Sequence, residues 1–141
     1  SVVIQDYPYE IWLYDTATLS LTRVTTSSDG ANRSSQLPSL NADGTKVAFQ
    51  SDSDFLGQGI IANQPEIWLY DTATMTLTRV TFASDGLRMS SSPSLSADGT
   101  KVAFFSDSGF PGQDIPWESS EIWLYTSLPN NYIYLPAILK G

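Results

Sequence analysis

The sequence predicts an all-β chain of four-stranded antiparallel blades of the β-propeller type, about two and a half to three blades in 141 residues. Three observations predict it. "EIWLYDTATLSLTRVT" (10–25) returns as "EIWLYDTATMTLTRVT" (66–81), and "EIWLYT" begins a third time at Glu121. "PSLNADGTKVAFQSDSDF" (38–55) returns as "PSLSADGTKVAFFSDSGF" (93–110), so the copies lie 55 or 56 residues apart. A period of this size holding four short β segments is that of a blade, and repeats are the first thing to seek in a sequence. The third observation is that no segment shows the apolar spacing of a helix. An ordinary sandwich with repeated strands is the competing architecture.

Within one unit the strands, named a to d, follow in order. Pro38–Leu40 is strand a and runs into Asp43-Gly44, a tight-turn pair. Lys46–Gln50, "KVAFQ", is strand b, rich in β-formers. A long loop carrying "FLGQG" in one copy and "FPGQD" in the other leads to "EIWLYD", strand c. "TAT" turns the chain into strand d, "LTRVT", with Leu21 and Val24 as its apolar anchors in the first copy. Gly, Asp, Ser and Pro punctuate the junctions. "IWLY" is apolar on both faces, as a strand packed between two sheets should be. Trp12, Trp68 and Trp123 recur at one position of that strand and so read as blade packing.

This ordered set of motifs resembles the WD-like blade repeat of TolB-type propellers. That pattern is an apolar-Ser-x-Asp-Gly turn, a Lys-apolar-Ala-Phe-x-Ser-Asp strand, a variable loop, an apolar strand ending in Asp, and a Thr-ending strand. Ala97 stands where the family usually has Pro. The resemblance spans most of the chain and implies a propeller scaffold; a scaffold alone implies no activity.

The strands do not sum to whole blades. Residues 1–25 supply b-c-d, with "SVVIQD" (1–6) in the place of strand b and only "YPY" as its b–c loop. Residues 26–81 supply a complete blade, 82–126 supply a-b-c, and 127–141 form a tail, "SLPNNYIYLPAILKG". Closed propellers have 4–8 blades, so a lone array of this size exposes two large apolar faces. "LPAILKG" (135–141) resembles "LPSLNADG" (37–44), a strand a. The tail is therefore expected to complete the first blade of a neighbouring copy by strand addition, head to tail. Such a contact gives a filament or a ring. The alternative is that "YIYLP" closes the chain's own third blade. The expected joint residues are Val2, Ile4, Tyr132, Tyr134, Leu135, Ile138 and Leu139.

Composition narrows function. A net charge of −8 repels phosphate backbones and anionic lipid surfaces, which argues against nucleic-acid or membrane-surface partners. No apolar run reaches the ~20 residues of a membrane span. There is neither cysteine nor histidine, so thiol nucleophiles, disulfides, zinc–cysteine sites and histidine bases are excluded. The chain starts without a Met or a secretory leader, so a processed chain or part of a longer one is expected. "YIYLPAILKG" resembles the short "YLP-apolar-Lys" tail of secreted proteins of filamentous green non-sulfur bacteria (Chloroflexota). With the absent cysteines and the Ser/Thr-rich loops, that implies an extracellular or cell-surface location.

Few residues invite chemistry. Asp52, Asp54 and Asp107 follow strand b and offer oxygens of the kind Ca²⁺ takes. Gly109 replaces the counterpart of Asp54, and turn capping accounts for all three, so no cofactor is expected. Asp15 and Asp71 end strand c and organise the next turn. Paired acids could hydrolyse glycosides, but turn roles absorb them. Trp117 lies outside the repeat register and is the candidate contact with a ligand or a subunit. Asn32-Arg33-Ser34 fits a glycosylation acceptor. The function expected is that of a secreted, non-catalytic structural protein whose partner is itself. The rival is a ring-shaped module binding a peptide or glycan through Trp117 and the "GQG"/"GQD" loops.

Overall fold

A computed structural model describes residues 8–27, 33–82, 88–110, 119–128 and 131–136. Among these residues there is no helix, and the strands form three antiparallel sheets. The first sheet is a hairpin of β1 (Trp12–Asp15) and β2 (Ser20–Arg23). The second runs in the order β3 (Ser35–Leu40), β4 (Lys46–Ser51), β5 (Glu66–Asp71) and β6 (Thr76–Arg79). The third runs in the order β7 (Ser90–Leu95), β8 (Lys101–Ser106), β9 (Glu121–Leu128) and β10 (Asn131–Pro136). The motifs within these residues map onto strands a to d, and the fold is that of propeller blades; "SVVIQD" (1–6), expected as a strand b, lies outside the described residues.

Turn chemistry explains the hairpins. Gly44 and Gly99 both sit at φ +71°, a left-handed conformation that costs glycine little. The aspartate before each glycine holds the turn: Asp43 Oδ1 accepts the Thr45 N–H at 3.0 Å, and Asp98 Oδ1 accepts the Thr100 N–H at 3.0 Å. The Ser96 hydroxyl also donates to Asp98 at 2.7 Å. Asp15 and Asp71 close the c–d turns by accepting the amides of Ala17 and Ala73 at 2.8 and 2.9 Å.

Side chains alternate across each strand, and the alternation assigns each face to one neighbour. Val47 and Phe49 of β4, with Trp68 and Tyr70 of β5, pack toward Ile11, Leu13 and Val24 near the first sheet. Ala48, Ile67, Leu69 and Val80 pack the other way, against Val102, Phe104, Trp123 and Tyr125 of the third sheet. Aromatic edges fill the layers. Phe55 meets Trp68 edge-on at 5.0 Å, and Phe110 meets Trp123 at 4.8 Å, a favoured geometry.

The tail follows the alternative, closure of the chain's own third blade by "YIYLP", and not the first expectation. Residues 131–136 are not held out for a neighbour. They form β10 and pair with β9 of the same chain, Tyr132 opposite Ser127, Tyr134 opposite Tyr125 and Leu135 opposite Leu124. Leu135 and Pro136, which the sequence aligns with a strand a, thus occupy the place of strand d, and the third sheet extends past residue 126. The physical reason is local closure: only residues 129 and 130 separate β9 from β10, and closing a short loop costs little entropy. Tyr134 is likewise turned inward rather than toward a joint. Its ring stacks on Phe110 at 4.7 Å, and its hydroxyl donates to the Val80 carbonyl.

Candidate assembly faces

Strand c gives the same residues three chances to show their surroundings. Ile11, Ile67 and Ile122 face the following sheet; they are 3%, 0% and 40% exposed. Trp12, Trp68 and Trp123 face the preceding sheet; they are 51%, 0% and 0% exposed. The chemistry is constant and the burial is not. Each exposed member lies where, among the described residues, no further sheet follows or precedes. The expectation that all three tryptophans are core residues holds for Trp68 and Trp123 and is corrected for Trp12.

Two apolar faces result. On the first sheet, Trp12, Tyr14 and Leu21 are exposed, with the Arg23 guanidinium 5.8 Å from the Trp12 ring. On the third sheet, Phe105 lies opposite Ile122 and Ala103 opposite Leu124, which in turn meets Leu135. Phe105, Ile122, Ile133 and Leu135 are all exposed. Contiguous exposed apolar surface of this kind makes the two faces candidates for assembly.

Each of the first two sheets is stiffened by an ionic knot, buried in the second, that the sequence reading passed over. Arg79 Nη2 lies 3.0 Å from Glu66 Oε1, both side chains nearly sealed from solvent. The Thr81 hydroxyl donates to Glu66 and accepts the Ile67 N–H at 2.9 Å. Glu10, Arg23 and Thr25 repeat the arrangement, with Arg23 more open to solvent. In the third sheet the place of Arg79, opposite the strand c tryptophan, is taken by Pro136. The co-occurrence of Glu with Arg and Thr in two copies was the available signal.

An open groove of about 710 Å³ runs between the start of β1 and β3, lined by Tyr9, Glu10, Ile11, Trp12, Ser35, Gln36, Leu37 and Pro38. Leu37, in its lining, is half-exposed; Leu40 is half-exposed as well, whereas its counterpart Leu95 is buried.

The acidic candidates serve the backbone. Asp52 accepts the amides of Ser34 and Asn63 at 2.8 and 2.7 Å. Asp54 accepts those of Gln58 and Gly59 at 2.7 and 2.8 Å. Asp107 accepts that of Met89 at 2.8 Å. Among the described residues no three acids converge as a metal site would require. Hydrogen bonds from the Ser96 hydroxyl, then from the Thr100 amide and hydroxyl, hold the Asp98 carboxyl well below the usual carboxylate range. Val2, Ile4, Asn32, Trp117, Ile138 and Leu139 lie outside the described residues, as does the side chain of Tyr132. No helix among the described residues is long and apolar enough to cross a membrane.

No protein-family model matches the chain, and no curated protein matches it. Solved structures do. TolB from Acinetobacter baumannii is similar over 90% of this chain and 26% of its own length, at TM-score 0.53 and 24% identity. A TolB-like protein from Agrobacterium tumefaciens is similar over 89% of this chain and 40% of its own length, at TM-score 0.56 and 19% identity. The tricorn protease is similar over 87% of this chain and 12% of its own length, at TM-score 0.57 and 17% identity. The chain thus spans less than half the length of each of these three. All three have β-propeller folds, and likeness at this identity speaks to fold alone. With the blade order and the strand c register, it shows that the chain carries a TolB-like β-propeller fold.

Proposed function

We propose that this chain is a non-catalytic structural protein that associates with copies of itself, head to tail, through its two apolar end faces, and that the assembly is an extracellular filament. One observation carries the reading. Ile122 and Trp12 are the exposed members of two sets whose other members are buried against neighbouring sheets. The outward face of the third sheet therefore has the chemistry of a surface that accepts a following blade, and the first sheet that of a surface that accepts a preceding one. Burying them on each other repeats an interface the chain already makes twice. The absence of cysteine and histidine supports a structural rather than a catalytic role, and the resemblance of the tail supports a location outside the cell.

The groove beside β3 favours a second reading, a module that binds an extended peptide or a glycan against Tyr9, Trp12 and Leu37. Electron micrographs of the purified protein separate the two. Fibres support the filament; discrete rings that retain ligands from a glycan or peptide array support the module; dispersed monomers contradict self-association.

A further inference from the structure

Resting on the self-association reading, we infer that the joint has one polarity: the third sheet of one copy seats on the first sheet of a second copy, and Phe105 fills the room that an innermost strand occupies inside the chain. At the joint between the second and third sheets, the innermost strand β7 is held by polar groups. Gln50 Oε1 accepts the Ser92 N–H at 3.0 Å, and Ser39 Oγ accepts the Leu95 N–H at 3.0 Å. Ser92 stands at φ +54° in a bulge of β7, where the strand register shifts between Ser91 and Ser94. Replacing Gln50 with an apolar residue would remove the acceptor that the solvent-exposed Ser92 amide uses across this joint.

The third sheet carries Phe105 at the position of Gln50, on the face that points away from the second sheet. A phenyl ring there satisfies no bulge amide. It suits a following sheet that lacks the innermost strand. Among the described residues the first sheet is such a sheet, for β1 and β2 are strands c and d. In sequence the glutamine recurs at Gln5. "VVIQ" (2–5) matches "VAFQ" (47–50) at Val and Gln, and the sheet that follows it has Leu37 at φ +53° in the bulge of β3, the counterpart of Ser92. Gln50 thus stands before the bulged innermost strand β7, and phenylalanine stands at the outward end. Joining two third sheets, or two first sheets, would set like against like; the interfaces within the chain always set an Ile/Leu row against a Trp/Tyr row.

Native mass spectrometry of complementary variants tests this. Trp12→Glu spoils the first-sheet face and Phe105→Glu the third-sheet face. Each alone is expected to stay a monomer, and their equimolar mixture to give a 1:1 heterodimer that grows no further. Phe105→Gln, which installs the internal residue, is expected to weaken association of the otherwise unchanged chain about tenfold, equivalent to ~1.4 kcal/mol. Thermal unfolding shows whether each variant is folded; Leu135→Glu, on the same face, replaces Phe105→Glu if that chain does not fold. A mixture that stays monomeric while the unaltered chain associates overturns the polarity. Unweakened association of Phe105→Gln overturns the role of Phe105. An unaltered chain that never associates overturns the self-association reading instead.

Discussion

The first and second sheets begin strand c with the same nine residues, "EIWLYDTAT", and bury them differently. In the second sheet Trp68 is sealed between Phe49, Phe55 and the hairpin of the first sheet, while Ile67 is sealed against the third. In the first sheet Ile11 is sealed and Trp12 is open. Local sequence therefore sets strand, register and facing, whereas burial is a property of the neighbour. The pair works as an internal control: substitutions at equivalent positions probe the same side chain with and without a covering sheet.

The largest contrast is expected at the tryptophans. Trp68→Ala should cost about 3–5 kcal/mol in urea unfolding, as large core truncations do. Trp12→Ala should leave the stability of the dilute chain within about 0.5 kcal/mol, yet weaken association by ~2 kcal/mol or more if the ring is an interface anchor. Similar unfolding losses for the two would erase the distinction between covered and open sheets.

The ionic knots come next. Glu66→Ala strands Arg79 in a buried site and should cost about 3–5 kcal/mol. Glu10→Ala leaves an Arg23 that water reaches and should cost nearer 1 kcal/mol. Equal losses in parallel urea titrations would mean that exposure of the arginine does not set the cost.

A smaller contrast separates the glycines of the a–b turns. Both hold φ +71°, so alanine should cost ~1–2 kcal/mol at either. A Cβ at Gly99 would also meet Asn41 and Lys46 of the preceding sheet at 3.0 Å, whereas one at Gly44 meets nothing within 4 Å. Gly99→Ala should therefore exceed Gly44→Ala by about 1 kcal/mol in thermal unfolding.

The smallest effect is electrostatic. The Asp98 carboxyl is depressed in the folded chain, chiefly by the Ser96 hydroxyl and then by Thr100, so the unfolded state takes up its proton first. The stabilisation is present above the ordinary carboxylate pKa of about 3.9 and is lost as pH falls through the acid range. Asp98→Asn should lower the unfolding temperature at pH 7 and flatten its fall toward pH 2–3, on the order of the carboxylate range itself. An unchanged acid slope would remove this turn from the account.

Much of this was legible from the repeat. Asp-Gly turns, "KVAF" and "EIWLYD" announced the strands, and their order matched a blade. Some features were less legible, each for a physical reason. Trp12 differs from Trp68 only in what lies beside it, which no local pattern encodes. The tail lacks the "LTRVT" motif yet fills the place of strand d, because an edge strand accepts any extended partner with a short enough connection; "PNN" between two β-rich runs was the hint. Asp52, Asp54 and Asp107, read from the sequence as turn caps, each take loop amides: Asp52 and Asp54 a different pair apiece, and Asp107 that of Met89. The Glu–Arg–Thr knots were written twice in the sequence and became evident only once strands c and d were seen side by side.

Sedimentation equilibrium across a wide concentration range, on the unaltered chain and on Ile122→Glu, tests the central claim most directly. The account predicts that the unaltered chain rises above its 15.4 kDa monomer mass with concentration, while Ile122→Glu, folded to the same extent, stays at it. A folded Ile122→Glu chain that assembles as readily as the unaltered one would show that the outward face of the third sheet is not where copies meet.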